Sequence, residues 1–501
     1  MKRIVKTIAC IALVVFSASC QKELAAPVDE TQENQGPVVI TASRPATKVA
    51  YDENGTSHNL EGSWEVNDVI FGFTASGTTV SFNVTSVAPG TGVATLTQTT
   101  SVDLTEGTKV HAIYCPGKTA SDLSEQTLAV DFSSQSESVI PVLLLATATV
   151  TSNTLAFTFE NAVSIIGIKN PVFPKATTAD RLVNITVSGH EIVSSGVVSV
   201  SGGSLVFTGN APDKFITKTV NATPVVVGET FTIADPVYIV VPAGPIANIS
   251  AIDTKSNFFV YSVNQTAVAS KYYVLDGKEF PAVTLPTSTG VSAAGVVWAK
   301  ANLGGSGVTD MGDIYRWSDT GKIYTDRPST TTVTFDSGHT AGFTTYVGEC
   351  YYTETPSAGY TKYTTGDNKT VLDPVDDVVQ LTYPGSGWRM PTLTEFNAVL
   401  SSGVTYSSGS GNKVGTTVTQ DANTLFFRST TQVCIPSGGN YTSISKRGYY
   451  WTSSISAGNL NSTGGRPDYV EVNPSDGRTA AAPVTGSTYR NCGLSIRPVR
   501  Q

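Results

Sequence analysis

Residues 38 to 285 consist largely of short segments in which apolar and polar side chains alternate. In the segment TLAFTF, Leu155, Phe157 and Phe159 are separated by Ala and Thr. This period of two places the three apolar side chains on one face of a β-strand, as a sheet with one buried face requires. Turn residues interrupt the segments roughly every 8 to 12 residues, which is the spacing of all-β sandwiches. The pattern therefore predicts a mainly β fold for this part of the chain.

Two further segments support this prediction. In VVSVSGGSLVFTG, Gly202 and Gly203 separate two alternating runs and can both adopt positive φ, so they predict a two-residue hairpin turn. In TFTIADPVYIVVPAG, a turn predicted at Asp235–Pro236 precedes a nearly continuous apolar strand. A single sandwich has roughly 100 residues. We therefore expect two sandwiches, over residues 38–170 and 171–285.

The charge of the chain excludes one class of partner. The formal net charge is −8, and only 14% of the 501 residues are charged, against roughly 25% in an average soluble protein. A nucleic-acid-binding protein needs a basic surface that neutralises phosphates. We therefore expect no nucleic-acid partner.

The first residues, MKRIVKTIACIALVVFSASC, combine a basic start, an apolar run from Ile8 to Phe16 and small residues before Cys20. The apolar run is too short to span a bilayer, so it indicates an export signal. We predict a lipoprotein signal over residues 1–19, with Cys20 as the lipid-bearing residue that anchors the protein in the outer membrane. The alternative is that Cys20 is an ordinary residue near a signal-peptidase cut. Residues 20–37 are polar and contain no aromatic residue, which predicts a flexible tether.

Four segments in the β-rich region resemble, in this order, the fimbrillin-like pilins of Bacteroidales: ASRPATKVAYDENGTSHNLEGSWEVNDVIFGF, LAFTFENAVSIIGIKN, VYIVVPAG and KYYVLDGKEF. The resemblance implies two transthyretin-like β-sandwich domains, secretion as a lipoprotein and, for many members, assembly with other pilus subunits. It also implies assembly by strand exchange. In this mechanism a protease removes the first strand, and a strand of a neighbouring subunit fills the groove.

The segment PVVITA, Pro37–Ala42, is the strand that this resemblance predicts to be removable. A sheet that lacks one strand exposes unpaired backbone groups and an apolar groove, and a donated strand satisfies both. Maturation would cut after a basic residue, either Arg44 or Lys48, although Pro45 makes the bond after Arg44 a poor one for trypsin-like proteases. The alternative is an ordinary first strand that is never removed.

The segment GWRMPTLTEFNAVL predicts a short helix in the last third of the chain. Thr392 and Glu395 have the spacing of a capping box, in which each side chain accepts a hydrogen bond from the other residue's backbone N–H. Pro391 prevents the helix from extending backwards, so Trp388–Arg389 is expected in a strand or turn. The apolar residues that follow at helical spacing are Phe396, Val399 and Leu400.

Six segments resemble the Fibrobacter-major-paralogous domains of the C-type-lectin-like class: GVVWAKANLG, MGDIYRWSD, LDPVDDVV, GWRMPTLTEFNAVL, YYWTSS and GLSIRPVR. The resemblance implies an α+β module over residues 290–501. The same class contains the formylglycine-generating-enzyme fold, which relies on active-site cysteines. Cys350, Cys434 and Cys492 lie in no segment that matches the motif of that enzyme, and neither H-E-x-x-H nor G-x-S-x-G is present. We expect no enzymatic activity.

Several residues of this module have two interpretations. Cys350, Cys434 and Cys492 allow one disulfide in an exported chain, with the pairing left open. Arg389 and Arg497 are expected to satisfy carbonyls or carboxylates inside the fold rather than to bind a ligand. The tryptophans of the motifs are expected in the core, although exposed aromatic residues could stack on sugars; they are Trp298, Trp317, Trp388 and Trp451.

One cluster of acidic residues suggests a metal ion, and this is the only cofactor for which the sequence gives a candidate site. Asp373, Asp376 and Asp377 supply hard oxygen ligands of the kind that suit Ca²⁺. Alternatively, Asp373–Pro374 begins a turn or a helix.

These features predict a surface-exposed pilus subunit of the fimbrillin type. Shaft subunits of that family donate a C-terminal strand, whereas this sequence ends within the predicted module at IRPV. The predicted role is therefore a tip adhesin that accepts but does not donate a strand, and that binds a host protein or glycan through its C-terminal module. Two alternatives stay open: a cell-surface glycan-binding lipoprotein that never polymerises, and an enzyme of the formylglycine-generating type.

Overall fold

A computed structural model describes residues 38–43, 47–49, 58–60, 64–89, 91, 93–136, 140–174, 180–220, 222, 228–231, 236–319, 322–324, 362–401, 404–408, 414–428, 448–461, 465–472, 484–490 and 492–501. These residues form many strands and few helices, so the fold is mainly β, as the sequence predicts. None of the helices in these ranges has the length and hydrophobicity that crossing a membrane requires.

The strands up to residue 161 are β1 Val39–Ser43, β2 Thr47–Val49, β3 His58–Leu60, β4 Val69–Thr74, β5 Thr79–Val87, β6 Val93–Gln98, β7 Lys109–Tyr114, β8 Leu123–Ser124, β9 Thr127–Asp131, β10 Ser134–Gln135, β11 Leu144–Thr149, β12 Thr154–Thr158 and β13 Glu160–Asn161. The next strands are β14 Ser164–Lys169, β15 Leu182–Ser188, β16 Ser195–Ser201, β17 Ser204–Gly209, β18 Ile216–Thr219, β19 Val237–Val241, β20 Gly244–Asp253, β21 Phe258–Ala267, β22 Tyr272–Asp276 and β23 Ala282–Val283.

The remaining strands are β24 Ser288–Ala293, β25 Val296–Ala299, β26 Ile314–Arg316, β27 Lys322–Tyr324, β28 Trp388–Arg389, β29 Val404–Ser408, β30 Val414–Gln420, β31 Asn423–Arg428, β32 Gly448–Trp451, β33 Asp468–Val472, β34 Val484–Ser487, β35 Gly493–Leu494 and β36 Val499–Arg500. The α-helices are α1 Val378–Thr382 and α2 Leu393–Ser401. Short 3₁₀ turns lie at Ala120–Asp122, Pro374–Asp376 and Ala457–Asn459.

Eight of the strands up to residue 161 form one sheet, in the order β12-β1-β6-β5-β4-β7-β11-β13. Its core includes Leu155, Phe157 and Phe159, none of which is more than 1% exposed. The alternation predicted in TLAFTF is therefore confirmed. Trp64 packs edge-on against Tyr114 and Phe159 at one side of this core.

Eight of the ten strands from β14 to β23, together with β10, form a sandwich. A six-stranded sheet, β10-β18-β15-β20-β21-β23, faces a three-stranded sheet, β19-β14-β22. The two sheets share one apolar core, to which Ile166 and Ile239 contribute from the smaller sheet and Val187 and Ile249 from the larger one. The predicted hairpin is also present, since Ser201 pairs with Ser204 and both intervening glycines have positive φ.

Strand pairing crosses the boundary predicted near residue 170. Strand β14, before the boundary, pairs with β19 and β22 after it. Strand β9 likewise pairs with β16, in a four-stranded sheet of the order β17-β16-β9-β8. A further core that includes Phe71, Val198 and Val240 joins the two groups. The alternation of apolar and polar residues indicates which residues form strands, but it does not indicate which strands pair with each other. The pairing across residue 170 could therefore not be predicted from the sequence.

The described residues from 288 onward form sheets of three or four strands together with both α-helices. The sheets are β24-β25-β36-β28, β27-β26-β35, β29-β30-β31 and β32-β33-β34. This combination of helices and strands lies around two apolar cores. The four motif tryptophans are at most 1% exposed, which confirms that they belong to the core.

Candidate functional site

Strand β1 lies inside the first sheet rather than at its edge. It pairs in parallel with β12, from Val39 opposite Thr154 to Ser43 opposite Thr158, and it pairs antiparallel with β6. Strand β1 is therefore held by backbone hydrogen bonds on both sides, whereas an edge strand has a partner on one side only.

Only two side chains of β1 are buried. Ile40 and Ala42 are 5% and 0% exposed, whereas Val39 on the opposite face is 55% exposed. Ile40 and Ala42 lie beside Leu155 and Phe157 of β12, respectively. Without β1, the unpaired N–H and C=O groups of β6 and β12 would border an apolar groove at this core. We call the position that residues 39–43 fill the β1 slot.

The residues predicted for anchoring and maturation flank this slot in sequence. Cys20 and Arg44 lie outside the described residues. Lys48 lies in β2, where its backbone pairs with Asn59 of β3. A cut after Lys48 would fall within that pairing, whereas a cut after Arg44 would fall between β1 and β2. Both sites remain predictions.

Strand β36 is also central in its sheet, between β25 and β28. Val499 and the preceding Ile496 and Arg497 are fully buried. The Nε of Arg497 donates to Oδ1 of Asn302 at 2.7 Å. The same guanidinium donates to three backbone carbonyls, those of Ala299, Lys300 and Phe426. Arg497 therefore acts inside the fold, as predicted, and fixes the segment that leads into β36.

The capping box of α2 is formed. Glu395 N–H donates to Oγ1 of Thr392 at 3.2 Å, and Thr392 N–H donates to Oε2 of Glu395 at 2.8 Å. Arg389 donates two further hydrogen bonds to the same carboxylate, at 2.9 and 2.6 Å. Burial alone would raise the pKa of Glu395, but these hydrogen bonds and the charge of Arg389 hold that pKa below its ordinary value. Pro391 precedes the box, and its carbonyl accepts from Ser453 N–H.

The carboxylates of the three clustered aspartates all accept from protein donors, and Lys362 Nζ contacts both Asp373, at 2.9 Å, and Asp376. Asp373 is the N-cap residue of the 3₁₀ turn at Pro374–Asp376, although its side chain makes no capping hydrogen bond; its Oδ2 accepts from Lys369 Nζ at 2.6 Å. Asp376 accepts from Lys362 Nζ at 2.5 Å. Asp377 caps α1 and accepts from three backbone N–H groups, those of Val379, Gln380 and Met390. In the described ranges no group of three acidic, His or Cys side chains could hold a metal ion. The contacts fit the interpretation of Asp373 as a turn residue better than a Ca²⁺ site.

The cysteines give no sign of a reactive thiol in the described residues. Cys492 is disulfide-bonded. Cys350 and Cys434 lie outside the described residues, so the pairing stays a prediction. Cys115 is a buried free cysteine, and burial raises the pKa of its thiol to about 11. A thiol with that pKa is almost entirely protonated near neutral pH and is a poor nucleophile.

The contacts that join the C-terminal module to the preceding sandwich had no signal in the sequence. Ser250 Oγ donates to the carbonyl of Pro384 at 2.8 Å. Tyr383 packs edge-on against Phe258, with 6.4 Å between ring centroids. Val375 belongs to the core of the sandwich although it lies in the module sequence. The module is therefore docked on the sandwich through hydrogen-bonded and apolar contacts.

No family model matches the chain, and no curated protein matches it. Among solved structures, the chain is similar to a candidate cell adhesion protein from Bacteroides uniformis, with 14% identity and a TM-score of 0.33 over 50% of this chain and 98% of that chain. A candidate cell adhesion protein from Bacteroides ovatus gives 12% identity and a TM-score of 0.31 over 50% and 96%. A fimbrial protein from Bacteroides ovatus gives 10% identity and a TM-score of 0.26 over 92% and 99%. Similarities this weak carry no argument about function, which has to come from the residues of this chain.

Proposed function

We propose that the protein is a surface-exposed pilus subunit of the fimbrillin type that accepts the strand of a neighbouring subunit in the β1 slot. The observation that carries this proposal is the position of β1, which lies between β6 and β12 and buries only Ile40 and Ala42. Removal of β1 would leave backbone partners on both sides of an apolar groove. A donated strand with the same alternation would satisfy both walls, because backbone pairing supplies affinity and the alternate side chains supply specificity.

The tip position is part of the same proposal. A donated strand has to be released from its own subunit, but residues 496–500 are held by β25, β28 and the buried guanidinium of Arg497. These residues are therefore unsuited to donation. The C-terminal module would bind a host protein or a glycan, and Cys20 would anchor the precursor in the outer membrane.

The alternative is a cell-surface glycan-binding lipoprotein that does not polymerise. In that case β1 stays between β6 and β12 as a permanent strand of the first sheet. The two functions differ in the mature amino terminus and in the assembly state of the protein on cells.

Mass spectrometry of the protein released from the cell surface distinguishes them. The pilus proposal predicts a mature chain that begins after Arg44 or Lys48, together with crosslinks to other pilus subunits. Replacing both residues by alanine should leave β1 attached and abolish the crosslinks, whereas the matched change Lys22→Ala should not. Intact, acylated Cys20 on every copy without crosslinks would contradict the pilus proposal and support the alternative.

A further inference from the structure

A lysine side chain contacts two carboxyl groups where the C-terminal module meets the sandwich. Lys362 Nζ lies 2.5 Å from Oδ2 of Asp376 and 2.9 Å from Oδ2 of Asp373. The hydroxyl of Tyr363 donates to the same oxygen of Asp376. Lys362 also donates to the carbonyl of Pro212 in the sandwich, at 2.9 Å. We call the side chains of Lys362, Tyr363, Asp373 and Asp376 the lysine cluster.

The lysine cluster is largely shielded from water. Asp376 is 4% exposed and Tyr363 is 0% exposed, and the side chain of Lys362 is 15% exposed. Trp317 packs edge-on against Tyr363, with 5.1 Å between ring centroids. Val375, directly before Asp376, belongs to the apolar core of the sandwich. The amine and the carboxyl group of Asp376 therefore face each other in a site from which most water is excluded.

Backbone hydrogen bonds hold the members of the cluster in place. The N–H of Asp373 donates to the hydroxyl of Tyr363 at 2.8 Å, and this orients the hydroxyl towards Asp376. The guanidinium of Arg490 donates to the carbonyls of both Lys362 and Tyr363. Groups that are held in contact react at effective concentrations far above those of free molecules in solution.

Two charges in this position are costly, and an amide bond would remove both. Burial raises the pKa of the Asp376 carboxyl group, so it takes up a proton more readily than an exposed one. Burial alone would lower the pKa of Lys362, but Asp376 and Asp373 raise it above its ordinary value. The resting cluster therefore holds an ammonium ion beside carboxylates. Desolvation of such a buried pair opposes its Coulomb attraction, whereas an amide is neutral.

We propose that Lys362 and Asp376 form an intramolecular isopeptide bond. After Nζ of Lys362 has lost a proton, it attacks the side-chain carboxyl carbon of Asp376, and a C–N bond forms. One C–O bond of that carboxyl group breaks, and its oxygen leaves as water with two of the three ammonium protons. Asp373 accepts these protons from the nitrogen and passes them to the leaving oxygen. The hydroxyl of Tyr363 stabilises the negative charge that develops on Oδ2 of Asp376.

The bond closes residues 363–375 into a covalent loop at the docking contact. It fixes the turn that carries Val375, which is part of the sandwich core, to the segment that bonds to Pro212. A covalent closure restricts the unfolded chain, as a disulfide does, and thereby stabilises the fold. The bond lies within one chain, so the inference is independent of whether the protein polymerises.

Mass spectrometry of the full secreted chain, after reduction of its disulfides, tests the proposal. We expect the chain to be one water molecule lighter than its mature sequence requires. Trypsin should not cut after Lys362, because the acylated amine is no longer recognised. The peptide that ends at Lys369 should be joined to the peptide 370–389, which contains Asp376.

Conservative variants identify the atoms that react. Lys362→Arg keeps the positive charge but cannot form this amide, so it should restore the full mass. Asp376→Asn should still form the bond but release ammonia in place of water. Asp373→Asn should slow bond formation about a hundredfold or more, because proton transfer is impaired. Lys369→Arg is the matched control and should leave the joined peptides unchanged, since Lys369 contacts Asp373 at 2.6 Å but its side chain is 34% exposed.

A chain of full mass in which trypsin cuts after Lys362 would overturn the proposal, because the contact would then be an ion pair only. Release of ammonia from the Asp373→Asn variant would overturn it too, since the bond would then form at residue 373. If the Lys362→Arg variant is not secreted, release of ammonia from the Asp376→Asn variant still identifies the bond.

Discussion

Strands β1 and β36 each lie between two neighbours in a sheet, but different groups hold them. β1 buries only Ile40 and Ala42, so backbone hydrogen bonds provide most of its contacts. β36 follows the buried Ile496 and Arg497, and the guanidinium of Arg497 serves four acceptors. Backbone pairing accepts any strand of suitable alternation, whereas a network of specific side chains does not. Strand β1 is therefore suited to exchange, whereas β36 is suited to a permanent place in its sheet.

The largest expected effect is on the permanent strand. Arg497→Ala would leave four acceptors without this donor, two of them in buried hydrogen bonds, and would open a cavity where the fully buried side chain lay. The free energy of unfolding of the module should therefore fall by about 4 kcal/mol or more. Arg466→Ala is the matched control, because Arg466 is exposed and its guanidinium donates to the hydroxyl of Tyr489 and lies over the same ring. It should cost about 1 kcal/mol or less. If both variants lose the same free energy of unfolding in denaturant, Arg497 does not hold β36 more firmly than an exposed arginine would.

The next effect concerns the wall of the β1 slot. Phe157 is 1% exposed and packs against Phe82 with 5.7 Å between ring centroids. Phe157→Ala should lower the free energy of unfolding by about 3–5 kcal/mol, because it opens a cavity in the core. The exposed neighbour Thr158→Ala should change it by about 0.5 kcal/mol. If chemical denaturation shows only a small loss of unfolding free energy for Phe157→Ala, Phe157 is not a rigid part of the core that β1 covers.

A smaller effect is expected at the start of α2 and depends on pH. Hydrogen bonds hold the folded-state pKa of Glu395 below its unfolded value, so the stabilisation is present above the ordinary Glu pKa of about 4.3 and is lost as pH falls through the folded value. Glu395→Gln should lower the melting temperature of the module at pH 7 and flatten its decline below about pH 4. Thermal unfolding of both proteins between pH 7 and pH 3 measures this, and parallel curves would exclude Glu395 as the source.

The smallest effect is expected in the first sheet. There burial lowers the pKa of a side chain, whereas at Glu395 hydrogen bonds lower the pKa against the effect of burial. Burial, reinforced by the charge of Lys109, lowers the pKa of His111 below its ordinary value. The unfolded state therefore takes up the proton first, and the sheet should lose stability as pH falls below about 6.5. His111→Asn should remove this loss between pH 7.5 and pH 5.5. Calorimetry that resolves the regions would then show the first sheet weakening at a higher pH than the module, and a reversed order would contradict both assignments.

Local features were predictable from the sequence and contacts between distant segments were not. The face of Leu155, Phe157 and Phe159 and the capping box of Glu395 depend on neighbours within a few residues. The insertion of β1 between β6 and β12 depends on segments more than 50 and 110 residues away. The acceptors of Arg497 lie near residues 300 and 426, and the docking of Pro384 on Ser250 joins two regions in the same way. No local pattern encodes such pairings, because only folding brings their members together.

The exchange of β1 can be measured directly by peptide uptake. A site-specific protease sequence inserted after Arg44 allows β1 to be cut, and a fluorescent peptide of sequence PVVITAS then competes for the slot. We expect the cut protein to take up one peptide per chain. A peptide with Val39→Asp should still bind, whereas a peptide with Ile40→Asp and Ala42→Asp should not. Retention of the original strand against excess peptide, or equal uptake of all three peptides, would show that β1 is not an exchangeable strand.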